Sequence, residues 1–257
     1  KFLFADKVEY VFITRKEEFA KYLPDIKRSK VMAVDTETTG LNPYTDRIRL
    51  IQLAIAGSPV FIIDCFCVLP DCLDMIKEAM EGSNVKIFQN AKFDLQFFMA
   101  IDVHPSPIFD TMLAGQLLRT SGSPPRVNLA ALARHYLNEE VDKEEQTSDS
   151  RGNLSSSQLE YAARDAEVLL RLRESMVKEL YDNRLSAVAL IEFSCVRAIA
   201  EMEYVGIYLD TEHWKNLIVR TEQERDEALR VLYTYAGEPV VQMNLWGEEV
   251  VQGLNFD

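Results

Sequence analysis

Residues 31–41, Val-Met-Ala-Val-Asp-Thr-Glu-Thr-Thr-Gly-Leu, limit this chain more than any other stretch. An apolar run of strand length ends in two carboxylates one residue apart. In an extended chain successive side chains alternate faces, so Asp35 and Glu37 share a face with Ala33, while Met32, Val34 and Thr36 point the other way. Two like charges then stand side by side. Either the strand ends in a solvated Asp-Thr-Glu turn, or a cation or a shared proton relieves the repulsion, and oxygen-only ligands favour a hard divalent ion.

The neighbouring sequence reads as an α/β domain. A strand is expected over 9–14, a helix over 15–26 with Phe19, Tyr22 and Leu23 inward, and strands over 48–55 and 60–64. The turns at Gly40-Leu41-Asn42-Pro43 and Gly57-Ser58-Pro59 are short, so these strands and the Asp35 strand form an antiparallel meander. Beyond it, helices are expected over 70–80, from Ala91, over 111–118 and over 129–137, with a strand over 85–89. That alternation turns the sheet parallel. Residues 138–153 are strongly polar and read as an exposed loop.

Two of these helices carry an acid on their apolar side. Ser155-Ser156-Ser157-Gln158 is a capping box, with Leu154 and Leu159 as its hydrophobic staple. It fixes a start that places Tyr161 and Asp165 one turn apart on the face continuing through Val168, Leu169 and Leu172. In the Ala91 helix, Asn90 and Asp94 are four apart, and Asp94 leads into Phe97, Phe98 and Ile101. Buried acids need partners. Asp35, Glu37, Asp94 and Asp165 together can hold two Mg²⁺ or Mn²⁺ ions, one to activate water and one to stabilise the departing oxygen of a phosphodiester. Tyr161, a phenol of pKa near ~10, suits positioning of water better than proton abstraction. The competing structural reading satisfies each acid with a backbone amide or an arginine.

Charge and cysteine usage narrow the alternatives. A net charge of -13 excludes a surface that grips phosphates everywhere, so any nucleic-acid contact is local. Arg47, Arg49, Lys86 and Lys92 flank the acids and are candidate phosphate contacts, or residues of a solvated strand edge. Cys65, Cys67, Cys72 and Cys195 form no paired CxxC motifs and read as free thiols of a reducing compartment. His104, His135 and His213 lack ligand spacing. No apolar stretch reaches the ~20 residues of a membrane span, and no signal peptide is recognisable. The expected location is intracellular, with no membrane partner.

Asp35-Thr36-Glu37-Thr38-Thr39-Gly40-Leu41, Asn90-Ala91-Lys92-Phe93-Asp94 and Tyr161-Ala162-Ala163-Arg164-Asp165-Ala166 resemble, in order, the three motifs of the DEDD 3′–5′ exonucleases, tyrosine subclass. The resemblance implies a ribonuclease-H-like mixed sheet flanked by helices and two-metal removal of 3′-terminal nucleotides. It also implies that Leu41 wedges against the terminal base, that Thr38 meets the 3′ end through its backbone, and that Asn90 helps place the strand.

Two branches of that superfamily compete. Lys143–Asp149 resembles a stretch of ribonuclease D and Werner-type exonucleases. Ile191–Phe193 and Ala198–Asp210 resemble the segment that opens the polymerase portion of family A DNA polymerases. The second resemblance implies a proofreading domain over 1–186 and a helical polymerase start over 187–257, built on a helix over 211–235 with Trp214, Leu217, Ile218, Leu229 and Leu232 as its core stripe. The partners implied are a single-stranded DNA 3′ end and a covalently linked polymerase domain. No polymerase catalytic motif is present. A ribonuclease D-like enzyme and a catalytically silent DNA-binding scaffold are the alternatives.

Overall fold

The computed structural model describes residues 8–69, 71–119, 126–140, 152 and 154–237, together with the backbone of 241–243 and 249–251. The expected 138–153 loop falls mostly outside these residues, as does all of Lys143–Asp149.

A six-stranded mixed sheet forms the centre. Its strands are β1 (Tyr10–Ile13), β2 (Val31–Thr38), β3 (Ile48–Ala54), β4 (Val60–Asp64), β5 (Val85–Phe88) and β6 (Ile108–Asp110), in the spatial order β1-β4-β3-β2-β5-β6. β2, β3 and β4 form the expected antiparallel meander, while β1 joins β4, and β5 and β6 extend from β2, in parallel. Asp35 thereby lies on a central strand, with Gln52 of β3 directly opposite.

Alternation along β2 and β3 sends side chains into two separate cores. Ala33, Leu50, Ala54 and Ile62 pack under α7 (Ser156–Asp182), which contributes Leu159, Ala163, Ala166, Leu169, Leu172 and Met176. Met32, Val34, Ile51 and Leu53 pack with α1 (Lys16–Arg28), α3 (Leu73–Met80) and α4 (Ala91–Met99) through Phe19, Ile26, Ile76, Leu95 and Phe98. The Ser155–Gln158 capping box forms in both directions and sets the rotation of α7.

Some elements differ from expectation. A one-turn helix, α2 (Cys65–Val68), capped by the Asp64 carboxylate, follows β4, and α3 begins at Leu73 rather than near residue 70, which is outside the described residues. Three-residue β6 carries too short a pattern to be read by periodicity. α5 (Thr111–Arg119) and α6 (Leu129–Leu137) occur where expected.

The first compact unit runs to Val205, past the expected division after residue 186. The cause is α8 (Ser186–Val205). It gives Ala189 and Phe193 to one core and Val196 and Ala200 to the other, and its Phe193 ring lies 4.7 Å from that of Phe109 on edge strand β6. The second unit, Gly206–Asp257, contains α9 (Thr211–Ala236), capped by the Asp210 side chain, and an antiparallel pair, β7 (Val241–Met243) with β8 (Glu249–Val251). The expected core stripe of α9 is corrected: no residue of this helix is buried, and Trp214 and Ile218 are about half exposed. Helical spacing identifies residues that share a face; it does not supply a surface to cover them.

Candidate active site

Three elements converge where β2 ends. Asp35 and Glu37 come from its last turns of pleat, Asp94 from the first turn of α4, and Asp165 with Tyr161 from α7. All five line one cleft of about 520 Å³, together with Thr36, Gln89, Asn90, Phe93 and Asn128. Asp94 and Asp165 are buried, and Asp35 and Glu37 are partly exposed.

The electrostatics record how closely these groups face one another. Burial, then the negative charges of Asp165, Asp94 and Glu37, hold the Asp35 carboxyl well above the usual carboxylate range. Burial also pushes Glu37 up to about 7. Asp94 rises to about 7 through burial, against the opposing Thr36 hydroxyl, which donates to its Oδ1 at 2.6 Å. Asp165 rises to about 7 through burial, offset by a hydrogen bond from the Tyr161 hydroxyl. Burial and Asp165 together raise the Tyr161 phenol far above its ordinary value, so it stays protonated and is suited to holding a water in place.

Asp94 is aimed by a hydrogen-bonded corner at the start of α4. Asn90, at the start of α4, adopts a left-handed conformation with φ 63°, which Asn tolerates better than most residues. The Asp110 carboxylate holds this corner: it accepts from the backbone N–H of Asn90 at 3.2 Å and of Ala91 at 2.8 Å, and from Met112 and Leu113 at the start of α5. Gln89 is locked by Thr111, whose hydroxyl donates to it at 2.6 Å, and by its own bond to the Val127 carbonyl. Motif spacing does not reveal Asp110. The only signal for it is an acid following two apolar residues at the start of a helix.

Of the residues implied to touch substrate, Asn90 lines the cleft, whereas Thr38, the last residue of β2, and Leu41, just beyond it, lie outside its lining. Leu41 is 84% exposed. Three of the four flanking cations are occupied elsewhere. Arg49 pairs with Asp64 in the interior, Lys92 pairs with Glu203 at 2.7 Å, and the Lys86 amine is buried against the Gly82 and Ser106 carbonyls.

The donor set fits a hard cation. All four acids present oxygen, none is in an ion pair among the described residues, and Asp165 Oδ1 is buried without a hydrogen-bond partner. Among the described residues no three acidic, cysteine or histidine side chains stand close enough together to hold a metal ion.

A mixed six-stranded sheet whose central strand, flanking helix and long covering helix bring four acids and a tyrosine to one cleft defines a ribonuclease-H-like nuclease of the DEDD type. Residues 10–181 match the 3′–5′ exonuclease family, and the chain belongs to it. It is 29% identical over 245 residues to a DNA polymerase I of Aquifex aeolicus, covering 88% of this chain and 40% of that protein. It is 30% identical over 216 residues to a ribonuclease D of Xanthomonas oryzae pv. oryzae, covering 82% of this chain and 56% of that protein. The chain therefore spans only about half or less of these relatives. A solved structure of Brucella melitensis NrnC with bound Mg²⁺ superposes with a TM-score of 0.64 at 25% identity, over 78% of this chain and 94% of that one.

Proposed function

We propose that this chain is a two-metal-ion 3′–5′ exodeoxyribonuclease, the proofreading domain of a protein that continues into a family A DNA polymerase. The observation that carries the nuclease reading is the meeting of Asp35, Glu37, Asp94, Asp165 and Tyr161, drawn from three elements, in one cleft. The choice of DNA is supported by the DNA polymerase I relative and by the likeness of Ala198–Asp210 to a polymerase opening segment.

In this reading Asp35, Glu37, Asp94 and Asp165 hold Mg²⁺ or Mn²⁺. Bound divalent cations supply Lewis-acid stabilisation of the charge that develops on the phosphodiester and its leaving oxygen. Tyr161, kept protonated by its surroundings, orients water for in-line attack on the terminal phosphorus. Asn90 and the Thr38 backbone steady the 3′ nucleotide, and exposed Leu41 meets its base. The P–O3′ bond breaks, releasing a nucleoside 5′-monophosphate and a strand shorter by one residue.

Asp35→Ala and Asp165→Ala are each expected to lower degradation of a 5′-labelled single strand by about 10²–10³-fold, as loss of a transition-state contact does, with far-UV circular dichroism unchanged. Activity persisting in both variants removes the assignment. The ribonuclease D relative favours a second reading, RNA trimming. Matched DNA and RNA oligonucleotides at one Mg²⁺ concentration separate the two: faster turnover of DNA supports proofreading, and faster turnover of RNA replaces it.

A further inference from the structure

A second cavity, about 570 Å³, lies beside the carboxylate cleft but shares no lining residue with it. Its lining includes Leu69, Phe97 and Ile101 together with the exposed residues Tyr44 and Phe66. The two sites are linked through α4, where Phe93 of the cleft and Phe97 of the cavity sit one turn apart with ring centroids at 5.1 Å. They are linked again by the β2–β3 connection, which leaves the catalytic strand at Thr38 and supplies Pro43, Tyr44, Asp46 and Arg47 to the cavity.

That connection is a built wall. The Thr39 N–H donates to the Arg47 carbonyl at 2.9 Å, and the Arg47 N–H donates to the Thr39 hydroxyl at 3.0 Å. The Asp46 carboxylate accepts from the Asn42 N–H at 3.0 Å and lies so close to Gly40 that a Cβ there would stand 2.4 Å from it. With Asp46 turned into its own loop, the cavity keeps one exposed guanidinium, Arg47, which has no ion-pair partner among the described residues. Both rings are backed on one side: Tyr44 stacks on Tyr204 at 5.0 Å, and Phe66 rests on the Arg49 guanidinium at 4.5 Å. Rings held this way lose little freedom on stacking with a ligand.

We propose that this cavity is a nucleotide-binding subsite, taking a planar base against Tyr44 and Phe66 and a phosphate on Arg47. Its volume lies within the range of small-molecule sites, stacked aromatics accept any base, and a lone cation in a chain of net charge -13 selects an anion locally. Such a nucleotide has two sources: an internal residue of a strand whose 3′ end occupies the carboxylate cleft, or a free nucleoside monophosphate. The first source rests on the exonuclease reading above; the second does not.

The test uses the whole chain and the variants Arg47→Ala and Tyr44→Ala, both at exposed positions outside the catalytic machinery. Binding of 5′-fluorescein oligothymidylates of two to eight nucleotides is followed by anisotropy in EDTA, and thymidine monophosphate is titrated calorimetrically. If the strand fills the subsite, wild-type affinity steps up at one length, each variant loses about tenfold at and above that length, and dinucleotide binding and turnover are unchanged. If the free nucleotide fills it, thymidine monophosphate binds wild type and fails to bind the variants, with length dependence unaltered. The proposal is overturned if both variants match wild type in every arm, or if they lose dinucleotide turnover in the same proportion as long-strand binding. A wild-type protein that degrades no strand sinks the exonuclease reading, and the strand source with it, and leaves the thymidine monophosphate arm decisive for the cavity.

Discussion

At the scale of single residues, the acids of this site were legible because each breaks a local rule. Asp35 and Glu37 end an apolar strand, and Asp94 and Asp165 fall on apolar helix faces fixed by their neighbours. Less legible are groups that interrupt an apolar run without carrying a charge. Gln52 is one: it sits in β3 among apolar residues, fully buried and directly opposite Asp35, and neither of its side-chain polar atoms has a partner. A buried amide left unpaired costs about 1–3 kcal/mol relative to an apolar side chain of like volume. Gln52→Leu is therefore expected to raise the stability of the metal-free protein by about 1–2 kcal/mol, read from the urea midpoint at constant m-value. A loss of stability would show that the amide is satisfied in solution, by water or by the neighbouring acids.

Among the elements, long periodic ones could be read and short or unpartnered ones could not. α7 declared its start through the capping box and its inner face through Val168, Leu169 and Leu172. β6, three residues long, offered no period, and with it went Asp110, the carboxylate that ties four backbone N–H groups at the junction of α4 and α5. The apolar positions of α8 read equally well as the start of a second domain, whereas its burial against Phe109 is a contact distant in sequence. Asp110 gives a test of how α4 is held. Asp110→Ala removes charge-assisted bonds worth about 2–3 kcal/mol, so stability is expected to fall by that amount. Turnover should fall beyond what partial unfolding explains, because the left-handed corner at Asn90 aims Asp94. Kinetics well below the melting temperature separate the two effects; unchanged kcat in the folded fraction would make Asp110 a purely structural anchor.

For the molecule as a whole, folding gathers four acids into one cleft of a chain that is already acidic, so on the proposed function protons and divalent cations would compete for the same groups. Glu37, Asp94 and Asp165 rise to about 7, and Asp35 rises in the same direction, whereas carboxylates in the unfolded chain titrate near ~4. The folded state thus binds protons more tightly than the unfolded state between those limits. The contribution is complete below about pH 4 and is lost as pH rises through about 7. Each proton held only by the folded state corresponds to a slope of about 1.4 kcal/mol per pH unit. The metal-free protein is expected to lose melting temperature from pH 5.5 to pH 8, and Mn²⁺ should restore more of it at pH 8, where the acids are ionised and no proton must be displaced. Thermal melts at pH 5.5, 7 and 8, in EDTA and in Mn²⁺, check both statements. In Asp165→Ala the EDTA slope should flatten and the Mn²⁺ shift should shrink together, because one set of charges produces both. A Mn²⁺ shift independent of pH, or one that survives in that variant, would place the cation at other residues and separate the repulsion among these acids from metal binding.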